Sequence, residues 1–241
     1  MTVRFLHLYL LSCNVYIAKA KYTQGRLYKM KRKHIYTGIC LLIVFTLWTV
    51  LLHFVDVKAI GPMESTVGFA TINGIFHKLT GVHITLYIIT DWLGLVPVGF
   101  GFGFALLGLI QWISRKSIRQ VDTSLLVLGG FYLVVLTVYL FFEQQVVNYR
   151  PVLIAGFLEA SYPSSTTLLV LCVMPTAVIQ LQHRIKSKRL RRFSRIVITA
   201  FVIFMVVGRL ISGVHWFTDI VGGILLSAGL VMLYSGIIAT K

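Results

Sequence analysis

Six stretches, each close to the roughly 20 apolar residues that a helix needs to cross a bilayer, run through this chain: Tyr36–Val55, Trp92–Ile113, Ser124–Phe142, Ser164–Leu181, Ile196–Gly213 and Ile220–Ala239. In hydrocarbon every backbone polar group must find its partner inside the protein, so stretches of this length and spacing fold as helices. The composition agrees. At 57% hydrophobic residues and a mean hydropathy of +0.86, the chain exceeds the apolar share of about 45–50% found in soluble domains. The expected fold is an all-α integral membrane protein, a six-transmembrane-helix bundle over residues 30–241 with no separate soluble domain.

Charge orients the bundle. Nineteen of the 23 Lys and Arg residues fall in residues 1–35, Arg115–Arg119, Arg184–Arg195 and Lys241, segments that share one side if six helices alternate. Lys and Arg accumulate in cytoplasmic loops. Both termini are therefore expected in the cytoplasm of a cell-membrane protein, with anionic lipid headgroups as neighbours of the basic loops. The net charge of +16 is accounted for by topology, so nucleic acid is not an expected partner. Nothing in the residues speaks to an oligomeric state.

Residues 1–29 read as an N-terminal cytoplasmic tail or as a mis-assigned start, with translation beginning at Met30; Arg4, the run Phe5–Ala18 and Ala18-Lys19-Ala20 imitate a signal peptide only weakly, because His7 and Asn14 interrupt the run. Asp56–Asp91 is the longest external loop. Its segment Val67–Leu79 repeats apolar residues near helical spacing and predicts an amphipathic surface helix, while His77 and His83 in the same loop are expected to be structural. Gly99 and Gly103 inside the second span, and the Ser and Gly residues at 222–229 in the last, are expected to be close-packing positions, and Pro175 to kink its helix. Cys13, Cys40 and Cys172 have no metal-ligand spacing. Neither a metal nor a cofactor is expected.

The chemistry gathers on the other side of the bundle. His215 and Asp219 are four residues apart at the start of the last span, a spacing that stacks them on one helical face. There a carboxylate can fix the imidazole tautomer and leave the second nitrogen free as a nucleophile or base. Arg209 lies just before them and Arg150-Pro151 in the preceding external loop, and a guanidinium offers a planar fork of donors suited to phosphate oxygens. Pro163-Ser164-Ser165-Thr166 opens the fourth span as a helix start, whose hydroxyls and free N–H groups are expected to face outward and favour an anion.

These residues resemble the type 2 phosphatidic-acid phosphatase and haloperoxidase superfamily, in particular its six-span membrane lipid phosphatases. That family carries Lys-x6-Arg-Pro, then Pro-Ser-Gly-His, then Ser-Arg-x5-His-x3-Asp. The corresponding segments here are Glu143-x6-Arg150-Pro151, Pro163-Ser164-Ser165-Thr166 and Gly208-Arg209-x5-His215-x3-Asp219. The resemblance implies metal-independent hydrolysis of a lipid phosphate or diphosphate at the outer leaflet, through a phosphohistidine on His215. It further implies that Asp219 orients that ring and that Arg150, Arg209, Ser164, Ser165 and Thr166 hold the phosphoryl oxygens. Polyprenyl diphosphate comes first among substrates, then phosphatidate or phosphatidylglycerophosphate.

Two positions depart from the family. Glu143 replaces its Lys, and Thr166 replaces the His that usually acts as general acid, a loss worth about 10²–10⁴ in rate. Three readings stay open: Glu143 acts as the acid, seven residues before Arg150 on the same helical face; the substrate is a diphosphate, whose leaving group needs less protonation; or the chain is a catalytically impaired relative that binds phosphorylated lipids without turnover. Glu143 as a plain ion-pair partner of Arg150 is the structural alternative. Transport is disfavoured, since no inverted repeat or broken midplane segment is visible.

Overall fold

A computed structural model describes residues 29–238 of the chain. The N-terminal reading, Cys13 and Lys241 lie outside the described residues, apart from Lys29 and Met30. Among them, six helical segments are long and apolar enough to cross a membrane. They are α1 (Lys29–Leu51), the pair α3 (Ile84–Leu93) and α4 (Leu95–Arg115), α5 (Thr123–Gln144), α6 (Ser165–Arg184), α7 (Lys188–Ile211) and α8 (Phe217–Ile238). Short connections at 116–122 and 185–187 join them at one end, where Arg115, Lys116, Arg119 and the 184–195 cluster lie. The all-α six-span bundle read from the sequence is the observed fold.

The second span begins earlier than its apolarity indicates. Ile84–Leu93 is helical, so the external loop ends near His83 and Asp91 sits on a helix. The polar residues that dilute this segment, Thr90 and Asp91, turn toward α7, where they meet Arg209. In the remaining loop the expected helix forms as α2 at Ala70–Thr80, preceded by a hairpin that the sequence had not indicated, pairing Lys58–Ala59 (β1) with Thr66–Val67 (β2). Asn73 fastens α2 to the start of α8: its amide oxygen accepts from the Thr218 N–H (3.1 Å) and its Nδ2 donates to Thr218 Oγ1 (3.0 Å). Phe76 stacks on Phe217 with ring centroids 4.2 Å apart.

Packing is tightest between α6 and α8, which carry Leu168, Cys172, Leu226 and Tyr234 in the core with Phe131 of α5. Tyr162, just before α6, is the plug at the upper end of this core. Its ring stacks on Phe45 (6.2 Å), its hydroxyl meets Thr49 Oγ1 (2.7 Å), and a Cβ at Gly222 would come within 2.5 Å of it. Gly223 and Gly229 likewise face Thr167 and Leu42, so the small residues at 222–229 are close-packing positions as read. Gly99 and Gly103 are not. A Cβ at either would meet nothing within 4 Å among the described residues, so no described helix packs against this face of α4. Pro175 lies inside α6.

Candidate active site

At the end of the bundle opposite the basic connections, the loop from Gln145 to Pro163 doubles back on itself. Arg150 N–H donates to Glu159 O (3.0 Å), Ser161 N–H donates to Asn148 O (2.9 Å), and the turn is made at Ala155 and Gly156, both with positive φ. This pairing puts Asn148, Arg150 and Ser161 on one patch. The α7–α8 turn comes up beneath it, with Gly213 at φ +69° adopting the left-handed conformation that glycine tolerates best. Trp216 locks the two segments together by donating its indole N–H to Tyr149 O (2.7 Å).

His215 is buried at the centre. Its Nδ1 lies 3.0 Å from Ser161 Oγ and its Nε2 lies 3.3 Å from Arg150 Nη1. Asp219 is the expected neighbour four residues on, yet its Oδ2 stands 3.8 Å from Nδ1. That oxygen accepts instead from the Ser161 hydroxyl (2.5 Å) and the Trp216 N–H (2.8 Å), while Oδ1 faces Asn148 Nδ2 at 3.5 Å. Burial, and after it the charges of Arg150 and Arg209, push the His215 imidazole well below its ordinary pKa, so the ring is neutral and its nitrogen lone pair is available.

Arg209 is held from the other side. Its side chain is 1% exposed, and Nη2 donates to Thr166 Oγ1 (2.6 Å) and pairs with Asp91 Oδ1 (3.2 Å), whose carboxylate is 56% exposed. Nη1 reaches Thr90 Oγ1 at 3.4 Å. Both arginines lie over the ring of Tyr87, at 4.9 Å for Arg209 and 5.8 Å for Arg150, a placement in which the ring face offsets some of the repulsion between two guanidinium groups.

Glu143 does not pair with Arg150. Helix α5 ends at Gln144, so the two-turn helical register between them does not exist, and Arg150 Nε pairs with Glu159 Oε2 at 3.1 Å. Glu143 instead lines a small cleft together with Tyr139, Phe142, Ser161, Tyr162 and His215. Ser164 is fully buried at the N-cap of α6, its hydroxyl accepting from Thr167 Oγ1 (3.0 Å) rather than facing outward. Ser165 lines the cleft. His77 packs against Trp216 and His83 reaches Thr80 O, and neither is among the cleft residues. Tyr139, Ser165 and Leu168 also line a second cavity, an apolar groove of about 900 Å³ between α4, α5 and α6 whose lining includes the polar Asp91 and Thr166.

Sequence reasoning missed Ser161, Asn148, Glu159, Tyr87 and Asp91. Ser161 was the most accessible of these, two residues before Pro163; the others had no spacing signal.

Six spans define a multi-pass membrane protein, with a buried His and two arginines gathered at one end of the bundle. Comparison with known proteins points to one family: residues 136–241 match the model of the PAP2 superfamily. A transmembrane PAP2-type phosphatidylglycerolphosphate phosphatase from Bacillus subtilis shares the fold, with a TM-score of 0.50, 19% identity, and coverage of 83% of this chain and 94% of that one. No curated protein matches the chain in sequence.

Proposed function

We propose that this chain is a membrane phosphatase that hydrolyses a lipid phosphate or diphosphate through a phosphohistidine on His215. The observation that carries the reading is the environment of Nε2: a neutral, buried imidazole whose outward nitrogen lies 3.3 Å from Arg150 Nη1, with a second guanidinium across the Tyr87 ring. A phosphoryl group entering between the arginines takes Arg150 off the nitrogen and meets a free lone pair. A P–N bond then forms as the P–O bond to the lipid breaks, and water afterwards attacks the phosphohistidine to release phosphate and restore the ring. Positioning and charge stabilisation supply most of the barrier reduction in such transfers. The leaving oxygen takes its proton from Glu143, the carboxyl in the cleft with His215.

The groove favours a membrane lipid as substrate, because its lining is mostly apolar and it shares Tyr139, Ser165 and Leu168 with the cleft. A second reading rests on Thr166. In the place of the family's acid it occupies Arg209, which suits a relative that binds phosphorylated lipids without turnover. Phosphate release from a panel of polyprenyl diphosphate, phosphatidate and phosphatidylglycerophosphate by the purified protein decides between them: release from none, with retained binding, leaves only the binder.

The site is proposed to face the outer leaflet, with both termini cytoplasmic, on the strength of the basic clustering. A cysteine at Ser65 is then labelled by an impermeant thiol reagent in intact cells, and one at Ser187 is shielded. Labelling at Ser187 from outside reverses the orientation.

A further inference from the structure

We infer that Ser161 is the residue that sets the tautomer of His215, standing as a hydroxyl relay between the imidazole and Asp219. The argument needs only the donor and acceptor inventory of the four side chains. Asp219 as a carboxylate accepts only, so the 2.5 Å contact with Ser161 takes the serine proton. The serine oxygen is left to accept, and its 3.0 Å contact with Nδ1 requires a proton on that nitrogen. Arg150 reaches the same result independently. A guanidinium donates only, so the 3.3 Å contact makes Nε2 the acceptor. Nδ1–H with a lone pair on Nε2 is thus fixed from both ends of the ring, and the direct His215–Asp219 separation of 3.8 Å is too long to do this without the serine.

Ser161 is held for the task. Its hydroxyl is buried, its backbone is tied to Asn148 O at 2.9 Å, and the next residue is the Tyr162 plug. Asp219 in turn keeps the Trp216 N–H on the same oxygen. Its role shifts from orienting the ring to orienting the serine. Ser161 is a positioning residue: it makes Nε2, the nitrogen beside Arg150, the one that reacts.

Nitrogen-15 NMR of histidine-labelled protein in lipid nanodiscs reads the tautomer directly, with His215→Gln identifying the signal. The native chain shows His215 as Nδ1–H. In Ser161→Ala the ratio of Nδ1–H to Nε2–H falls about tenfold, the worth of roughly one hydrogen bond, while Ser161→Thr keeps the native ratio. An unchanged Nδ1–H to Nε2–H ratio in Ser161→Ala, or an equal fall in Ser161→Thr, overturns the relay. If the alanine variant does not fold, Ser161→Cys, a weak donor and acceptor of similar size, takes its place with the same expected direction. This readout needs no turnover, so it stands or falls apart from the phosphatase reading on which the kinetic consequence rests. That consequence is a fall in kcat of about 10²-fold in Ser161→Ala with KM nearly unchanged, because the ring is misdirected and the phosphate contacts are intact.

Discussion

The two halves of the proposed site, around His215 and around Arg209, are built on different terms. Around His215, the hydrogen-bonded residues Asn148, Arg150, Ser161 and Asp219 all come from residues 148–219, within the family-matched segment, and are buried, with only the Glu159 partner of Arg150 reaching solvent. Around Arg209, the partners come partly from α3, before that segment, and the counter-charge is a half-exposed carboxylate. A buried network of this kind resists rearrangement, since any broken contact leaves a desolvated polar group. A pair with one exposed member can open at little cost, because Asp91 has water to return to. On the proposed function, the hydrogen-bond chain through His215, Ser161 and Asp219 is the fixed half and the Arg209–Asp91 pair the adjustable one.

The largest expected effect tests the fixed half. His215→Ala removes the nucleophile, and phosphate release falls to background while binding of phosphorylated lipid persists; release at the native rate excludes the phosphohistidine route. The native pH profile sharpens the point. Because burial and the two arginines lower the His215 pKa, its neutral form survives as pH falls through 6.5, and kcat/KM turns down only below that value. An acid limb at or above 6.5 contradicts a buried nucleophile beside two guanidinium groups.

Glu143 and Thr166 lie on either side of the boundary between the halves. With Glu143 as the acid, Glu143→Gln lowers monophosphate turnover by about 10²-fold or more and diphosphate turnover by less, since a phosphate leaving group needs less protonation. Thr166→His then restores part of the monophosphate rate. Equal rates on both substrate classes in native and Glu143→Gln protein remove Glu143 from the mechanism.

The smallest effect belongs to the adjustable half. Asp91→Asn leaves Arg209 in place but releases its charge to the incoming anion, so affinity for phosphorylated lipid rises about three- to tenfold, and more for diphosphate than for monophosphate. Calorimetric titration of the His215→Ala background measures this without turnover. Weaker binding in Asp91→Asn means that the carboxylate supports the arginine rather than competing for it.

Much of the site was legible in the chain because it depends on local spacing. His215 and Asp219 come together through one helical turn, and Arg150 and Arg209 through the alternation of spans. Ser161, Glu159 and Asp91 were hidden because their partners are between 9 and 118 residues away along the chain, across a doubled-back loop or between α3 and α7. The alternative that paired Glu143 with Arg150 fails for the same reason: the helical register it needs extends past the point where α5 ends, and Arg150 pairs with Glu159.

The sequence by itself determined the number of spans and carries an orientation signal, because length and charge act through solvation in the bilayer and need no knowledge of neighbours. Only the tertiary structure decided which carboxylate meets which guanidinium and what lies between His215 and Asp219. Those contacts depend on distances of an ångström or less, the difference between the 3.8 Å that separates ring from carboxylate and the 2.5 and 3.0 Å steps through Ser161, and hydrogen bonding falls off over just that range.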